Sequence, residues 1–231
     1  NLKREDINKR AKKNYFFFNK IYKFTSIKKK ERVLDFGSGY GPLLHILKEK
    51  KIKAIGIEPS IINSNISKKL GHNVINDYLK ENTFRAKSFK LVVSLYTFTY
   101  INDLAEKFKI FRKILINNGY LLIRVHQYKF SKTYHQKNHF KKLKNAKHTF
   151  NHFSENSLKK LFNFHNFDIL MFDKNIEGVT IIARKIKKKK YKKIGNYKFE
   201  IFYIRHLVFL ISNIMLLVHK MKINLRLFFK W

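Results

Sequence analysis

The sequence contains no cysteine, so disulfides, thiolate metal sites and cysteine nucleophiles are excluded together. Acid is scarce: 15 Asp and Glu stand against 51 Lys and Arg, a formal charge of +36. Proline occurs twice and glycine eight times in 231 residues, so a cluster of glycines anywhere carries information. The longest near-continuous apolar stretch, 207–218, is broken by Ser212 and Asn213. It falls short of the roughly 20 residues that a membrane-spanning helix requires. The opening segment NLKREDINKRAKKN is charged and lacks an apolar core, so no secretory peptide is expected. No internal repeat is visible.

The length suits one domain with an appendage, enough to bury a real core. The basic excess has two readings, and both stay open. One is attraction to a polyanion such as nucleic acid or anionic lipid. The other is bias toward the residues of A/T-rich codons, since Lys, Asn, Ile, Phe and Tyr crowd the chain.

What is present is an alternation of short apolar runs and helical patterns. RVLDF (Arg32–Phe36), KAIGI (Lys53–Ile57), His72–Ile75, FKLVVS (Phe89–Ser94) and GYLLIRV (Gly119–Val125) read as strands. Helices are expected from Pro42 to about Lys48, over Pro59–Leu70, and over Ile101–Ile116 with apolar residues at 104, 108, 111 and 115. Ser154 is expected to cap a helix Glu155–Asn166, followed by the closing strands FDILMF and VTIIARK (Val179–Lys185). Strands alternating with helices imply parallel pairing, and the last two strands read as a hairpin-like pair. The expected fold class is therefore α/β, a doubly wound, seven-stranded, mostly parallel sheet with a C-terminal helical tail. Residues 1–30 are a basic lead-in helix or lid, with an aromatic knot at Asn14–Phe24; 31–185 are the domain body; 186–231 are a basic linker and amphipathic tail. Gln127–His148, rich in His and Lys, reads as an excursion over the sheet's edge.

Between the first strand and the first helix of that body stand Gly37, Gly39 and Gly41. Such a junction needs a sharp turn and close approach of backbone to a ligand, which residues without Cβ permit. The third glycine arrives one residue early for a dinucleotide fingerprint, and no GK[ST] follows for a P-loop. Asp35, two residues before the first glycine, suits a cation better than a phosphate.

Together, LDFGSGYG and the following GIEPS resemble the class I S-adenosylmethionine-dependent methyltransferases, over about Val33–Arg184. The resemblance implies a Rossmann-like fold and S-adenosylmethionine as cofactor. It also implies that Gly37, Gly39 and Gly41 pass beside the methionyl part, with Asp35 near the amino group and Glu58 taking the ribose hydroxyls. Asp77 in VINDYL then stands on the adenine side. A carboxylate at position 58 makes chemical sense, because its two oxygens match two vicinal donors.

The second half is similar to the subgroup acting on small molecules, with departures. Lys90 replaces a common Asp, Thr99–Tyr100 replace a Glu–His pair, and Asn117–Asn118 replace Pro–Gly; FNHFSENSLKKLF (Phe150–Phe162) matches closely. The missing His calls for another base or for an acceptor that needs none. His126, just past the fifth strand, is the candidate, with Tyr96 and Tyr100 lining the acceptor site. The expected activity is methyl transfer to a small-molecule acceptor such as a sugar, lipid-linked intermediate or quinone-like precursor. The alternatives are an RNA or protein methyltransferase using the basic surface, and a non-catalytic cofactor-binding subunit at a membrane. No NPPY-type motif follows the fourth strand, which argues against base N-methylation.

No metal is expected: His148 and His152 are four apart but lack a third ligand. In the tail, Arg205, Ser212, His219 and Arg226 recur every seven residues as a polar stripe. A helix packed on the domain, a partner surface and a peripheral membrane contact through 201–231 all remain open. The expected location is cytoplasmic, or peripheral at the inner face of the membrane.

Overall fold

A computed structural model describes residues 4–126, 151, 153–175 and 178–187, with side chains from Asn14 onward. Asn1–Lys188 forms one compact unit. Residues 189–231 with their tail stripe, the Gln127–His148 excursion, His148 and His152 lie outside the described residues.

Five strands follow one another in parallel: β1 (Arg32–Phe36), β2 (Lys53–Ile57), β3 (Val74–Ile75), β4 (Phe89–Leu95) and β5 (Leu115–Val125). Two more, β6 (Phe167–Asn175) and β7 (Gly178–Lys185), form an antiparallel hairpin. The sheet order is β3-β2-β1-β4-β5-β7-β6, so the last strand inserts between β5 and β6, antiparallel to both. The seven-stranded doubly wound sheet expected from the sequence is thus present.

The central strands are buried on both faces, which is why they read as continuous apolar runs. Leu91, Val93, Leu122 and Ile182 pack against Phe18 and Ile21 of α1 (Arg4–Thr25) and Leu43, Ile46 and Leu47 of α2 (Pro42–Glu49). Leu34, Val92, Leu121 and Ile123 pack against Phe108 and Phe111 of α4 (Leu104–Ile114) and Phe162 of α5 (Glu155–Phe164). Helix α1 bridges the sheet: the Tyr15 hydroxyl donates to Glu49 of α2, and Lys20 pairs with Asp173 of β6.

Caps set the helix starts. Ser60 accepts from the Asn63 amide at 3.3 Å, so α3 (Ile61–Lys69) begins after the expected Pro59. Asp103 accepts from the Glu106 amide at 2.9 Å, so α4 starts at Leu104 rather than Ile101. Ser154 and Ser157 form a reciprocal capping box at α5. The larger departure is at Leu115, where α4 gives way to β5 without a loop. Leu115 fits the apolar period of the helix, yet pairs with Phe89 of β4 before a register shift. Asn118 then takes φ 57°, a left-handed conformation that Asn tolerates better than most residues.

Arg112 closes the base of this layer. Its guanidinium donates to the carbonyls of His165 at 3.1 Å, Asn166 at 2.7 Å and Ile186 at 3.0 Å. It thereby satisfies orphan acceptors at the end of α5 and past β7. Arg112→Ala should lower stability by about 2 kcal/mol, or roughly 4–8 °C in the melting temperature. A melting curve within about 1 °C of the parent would contradict this account.

Candidate functional site

The site is built where the sheet's winding reverses, between the C-terminal ends of β1 and β4, the usual ligand crevice of an open α/β sheet. From β1 the chain turns at once. Gly37, Gly39 and Gly41 have φ of 73°, 56° and 87°, all left-handed. The Gly37 amide donates to the Ile57 carbonyl at 2.9 Å, which ties the turn to β2.

The first two glycines have different reasons. A Cβ on Gly37 would lie 2.1 Å from Thr97 Oγ1, so this glycine admits the chain after β4. A Cβ on Gly39 meets no described atom within 4 Å, so the space above it is open. Gly39→Ala should therefore fold, with about 1–2 kcal/mol of backbone strain, while losing at least about tenfold in cofactor affinity by calorimetry. An unchanged affinity would mean that no ligand approaches that backbone.

Glu58, the residue after β2, is 8% exposed and holds the glycine turn. Its Oε2 accepts from the Gly39 amide and its Oε1 from the Ser60 amide, both at 2.9 Å. Each oxygen keeps a further lone pair for outside donors. Asp35, in β1, is 3% exposed. Burial, and after it the negative charge of Glu58, push its pKa up to about 7. Among the described residues no cation or hydrogen-bond donor offsets that burial. Two buried carboxylates beside an open glycine turn fit a ligand that carries positive charge and paired hydroxyls.

Asp77, after β3, sits apart from this pair. It accepts from the Tyr78 amide at 2.7 Å and from Lys80 Nζ at 2.8 Å, and these bonds, Lys80 foremost, hold its pKa below the usual carboxylate range. Its present contacts are those of a loop cap.

On the β4 side, Tyr96 follows the strand directly and has φ 63°, a strained conformation for a bulky residue. Its amide donates to the Arg124 carbonyl at 2.7 Å. Its ring stacks on His126, centroids 4.4 Å apart at 30°, and its hydroxyl accepts from Arg124 Nε. Thr97 Oγ1 reaches the Gly37 carbonyl at 3.4 Å. Tyr100 ends a 3₁₀ turn, Phe98–Tyr100, and is exposed. Asn151 clamps that turn through its side chain to the Phe98 and Ile101 carbonyls and its amide to the Thr99 carbonyl. His126 is exposed at the end of β5.

The geometry thus groups Asp35, the glycines and Glu58 on one side, and Tyr96 with His126 on the other. Tyr100 lies at the rim and Asp77 in its own loop. Sequence reasoning missed Arg124, which is 0% exposed and held between Tyr96, Thr180 and Asn175. It also missed Phe17 of α1, whose ring lies 4.9 Å from that guanidinium. The signal was there: an arginine within the apolar run LLIRV, on the same face as the buried Leu122. Among the described residues no group of three His, Asp or Glu is placed to hold a metal, and no helix is long and apolar enough to cross a membrane.

A sequence profile described as a methyltransferase domain matches residues 8–171. No curated protein matches the chain. Solved structures do. A SAM-dependent methyltransferase from Aquifex aeolicus superposes with a TM-score of 0.57 at 16% identity, over 80% of this chain and 100% of that one. A chain from the Haloferax volcanii complex between the Trm112 methyltransferase activator and a putative methyltransferase gives 0.63 at 12%, over 80% and 95%. A putative sarcosine dimethylglycine methyltransferase from Galdieria sulphuraria gives 0.61 at 11%, over 75% and 85%.

Proposed function

Because the chain belongs to the methyltransferase-domain family, with S-adenosylmethionine as its expected cofactor, we propose that it methylates a small molecule bound at the C-terminal ends of β1 and β4, beside Gly39 and Tyr96. The observation that carries this reading is Asp35, a buried carboxylate with a pKa of about 7 and no counter-charge among the described residues, beside an open glycine turn.

In this reading the chain's residues divide the work. Asp35, once ionised, faces the cofactor's positive end. The Gly39 backbone leaves room for its methionyl arm, and Gly37 and Gly41 shape the turn. Glu58 offers its remaining lone pairs to the ribose hydroxyls while its existing bonds keep the turn in place. Asp77 serves the adenine side once its bonds to Lys80 and Tyr78 are exchanged. When bound, the cofactor would supply a methyl group already activated on a sulfonium, its carbon bonding to the acceptor's lone pair while sulfur keeps the electrons of the broken carbon–sulfur bond.

The remaining task is to hold the acceptor's lone pair in line with that methyl, and positioning alone is worth about 7–11 kcal/mol of barrier. Where the acceptor is a hydroxyl, its proton passes to His126 Nδ1 or Nε2, a contribution of about 10²–10⁴-fold. Tyr96 and Tyr100 line the acceptor's approach. What favours a small molecule is the resemblance of FNHFSENSL to the subgroup acting on small molecules.

The test is an untargeted search for the metabolite that gains one methyl when purified protein and S-adenosylmethionine meet cell extract. Methylated RNA or protein in place of a metabolite would favour the second reading, which the formal charge of +36 supports. That reading further requires RNA binding that weakens steeply with salt.

A further inference from the structure

We propose that Tyr96 is a dedicated hydrogen-bond donor to the methyl acceptor and that Arg124 is the residue that makes it one. The acceptor substrate accordingly presents a lone-pair oxygen, such as a carbonyl, carboxylate or phenolate oxygen, beside the atom that is methylated. The inference rests on the methyl-transfer reading of this site and specifies its substrate.

Donors and acceptors fix the direction of this hydrogen bond. A tyrosine hydroxyl has one proton to give and lone pairs to receive with; an arginine guanidinium has only protons to give. Arg124 Nε donates to the Tyr96 oxygen, so the Tyr96 proton must point away from Arg124. Among the described residues no acceptor takes that proton. The donation also polarises the hydroxyl, which strengthens what it gives onward.

Everything around the pair holds this direction. Arg124 cannot rotate, because Nη1 donates to Thr180 Oγ1 at 2.7 Å and Nη2 to Asn175 Oδ1 at 3.0 Å. Asn175 is itself fixed by the Gly178 amide at 3.1 Å. Phe17 of α1 covers the guanidinium from the helix side. Tyr96 is pinned in its left-handed backbone by the Arg124 carbonyl and by the His126 ring. Strain of this kind persists only where the surroundings over-determine it, and it is concentrated at functional sites. Tyr96 follows β4 directly, next to Thr97, which touches the glycine turn. A ligand atom at the C-terminal end of β4, on the open side of Gly39, is the recipient in this reading. Arg124 acts through Tyr96 and touches no substrate, so it is a positioning residue.

The experiment uses S-adenosylmethionine labelled in its methyl group and the small-molecule fraction of a cell extract as the acceptor probe. Labelled products are followed by mass spectrometry, and cofactor affinity is measured separately by calorimetry. Tyr96→Phe keeps the ring and its stack on His126 and removes only the hydroxyl. It should lower the initial rate of labelling about 10- to 100-fold and leave cofactor affinity within about threefold of the parent. Arg124→Met should lower labelling to a similar extent, and Arg124→Lys, which keeps one donor near Tyr96, should recover part of it. A purely structural arginine would weaken labelling and cofactor affinity together, with no rescue by lysine. Parental labelling by Tyr96→Phe overturns this inference and leaves methyl transfer standing. A parent protein that binds the cofactor yet labels nothing in the small-molecule fraction overturns the small-molecule reading and this inference with it.

Discussion

Replacing Asp35 by asparagine should stabilise the free protein at about pH 8 while removing most of its affinity for S-adenosylmethionine. The first half follows from linkage. The Asp35 carboxyl has a pKa of about 7 when folded, against 3.8 for an ordinary Asp. Between those two values the folded state keeps a proton that the unfolded state has lost, so stability falls as pH rises through that window. Above about pH 7 the loss is complete, and a shift of about three units corresponds to at most about 4 kcal/mol. An asparagine in its place carries no charge to desolvate, and the variant's melting temperature should exceed the parent's by several degrees at about pH 8. The gap should close toward about pH 4, where the carboxyl is protonated in the folded parent and increasingly so in the unfolded chain.

The second half has the opposite sign. A cationic ligand beside Asp35 selects the ionised form, so binding to the parent should be about tenfold weaker at about pH 6 than at about pH 8. The asparagine variant should bind about 100-fold more weakly at about pH 8 and lose that part of the pH dependence. Any titration of the ligand itself persists in the variant and subtracts out. A variant with parental affinity would mean that the carboxylate does not face the ligand's charge.

Glu58→Ala is expected to have the second large effect, and it should move the first. Removing this side chain deprives the Gly39 and Ser60 amides of their acceptor. A buried amide without a partner costs about 1–3 kcal/mol, and the glycine turn loses its brace to the end of β2. Cofactor affinity should fall by at least about 100-fold, because the acceptors proposed for the ribose go with the brace. The change also removes the neighbouring negative charge that raises the Asp35 pKa. Whatever binding remains should therefore show its pH midpoint shifted below about 7. Calorimetry across about pH 5–8 reads both quantities; an unmoved midpoint would show that Asp35 and Glu58 do not sense each other.

The parts of this molecule legible in its sequence are those governed by local rules. Strands β1 and β2 run where their apolar pentads stand, and Pro42 opens α2 as its fixed φ allows. Ser154 caps α5 as a serine before an acidic first turn should. The carboxylate-and-glycine arrangement was legible for the same reason: its requirements lie within a single strand–turn–helix–strand unit. What depended on long-range contact was not legible. Leu115 satisfies both a helical and a strand period, and only its pairing with Phe89 decides between them. Tyr96 gives no sign of its left-handed backbone, which is imposed by Arg124 and His126 from a different strand. One local contact escaped as well: Asp77 stands where the family places an acid, yet Lys80, three residues on, holds it in an ion pair.

The insertion of β7 between β5 and β6 has a consequence for synthesis. A nascent chain that has emerged only as far as Val125 exposes β5 as an open edge, with Leu121, Leu122 and Ile123 ready to pair with any passing strand. Its proper neighbour does not exist until residues 178–185 have been made. In such a chain Arg124 would lack its Thr180 and Asn175 partners, and its charge would oppose intermolecular pairing at that edge. Once β7 arrives, the same guanidinium is covered and turned to Thr180 on the incoming strand.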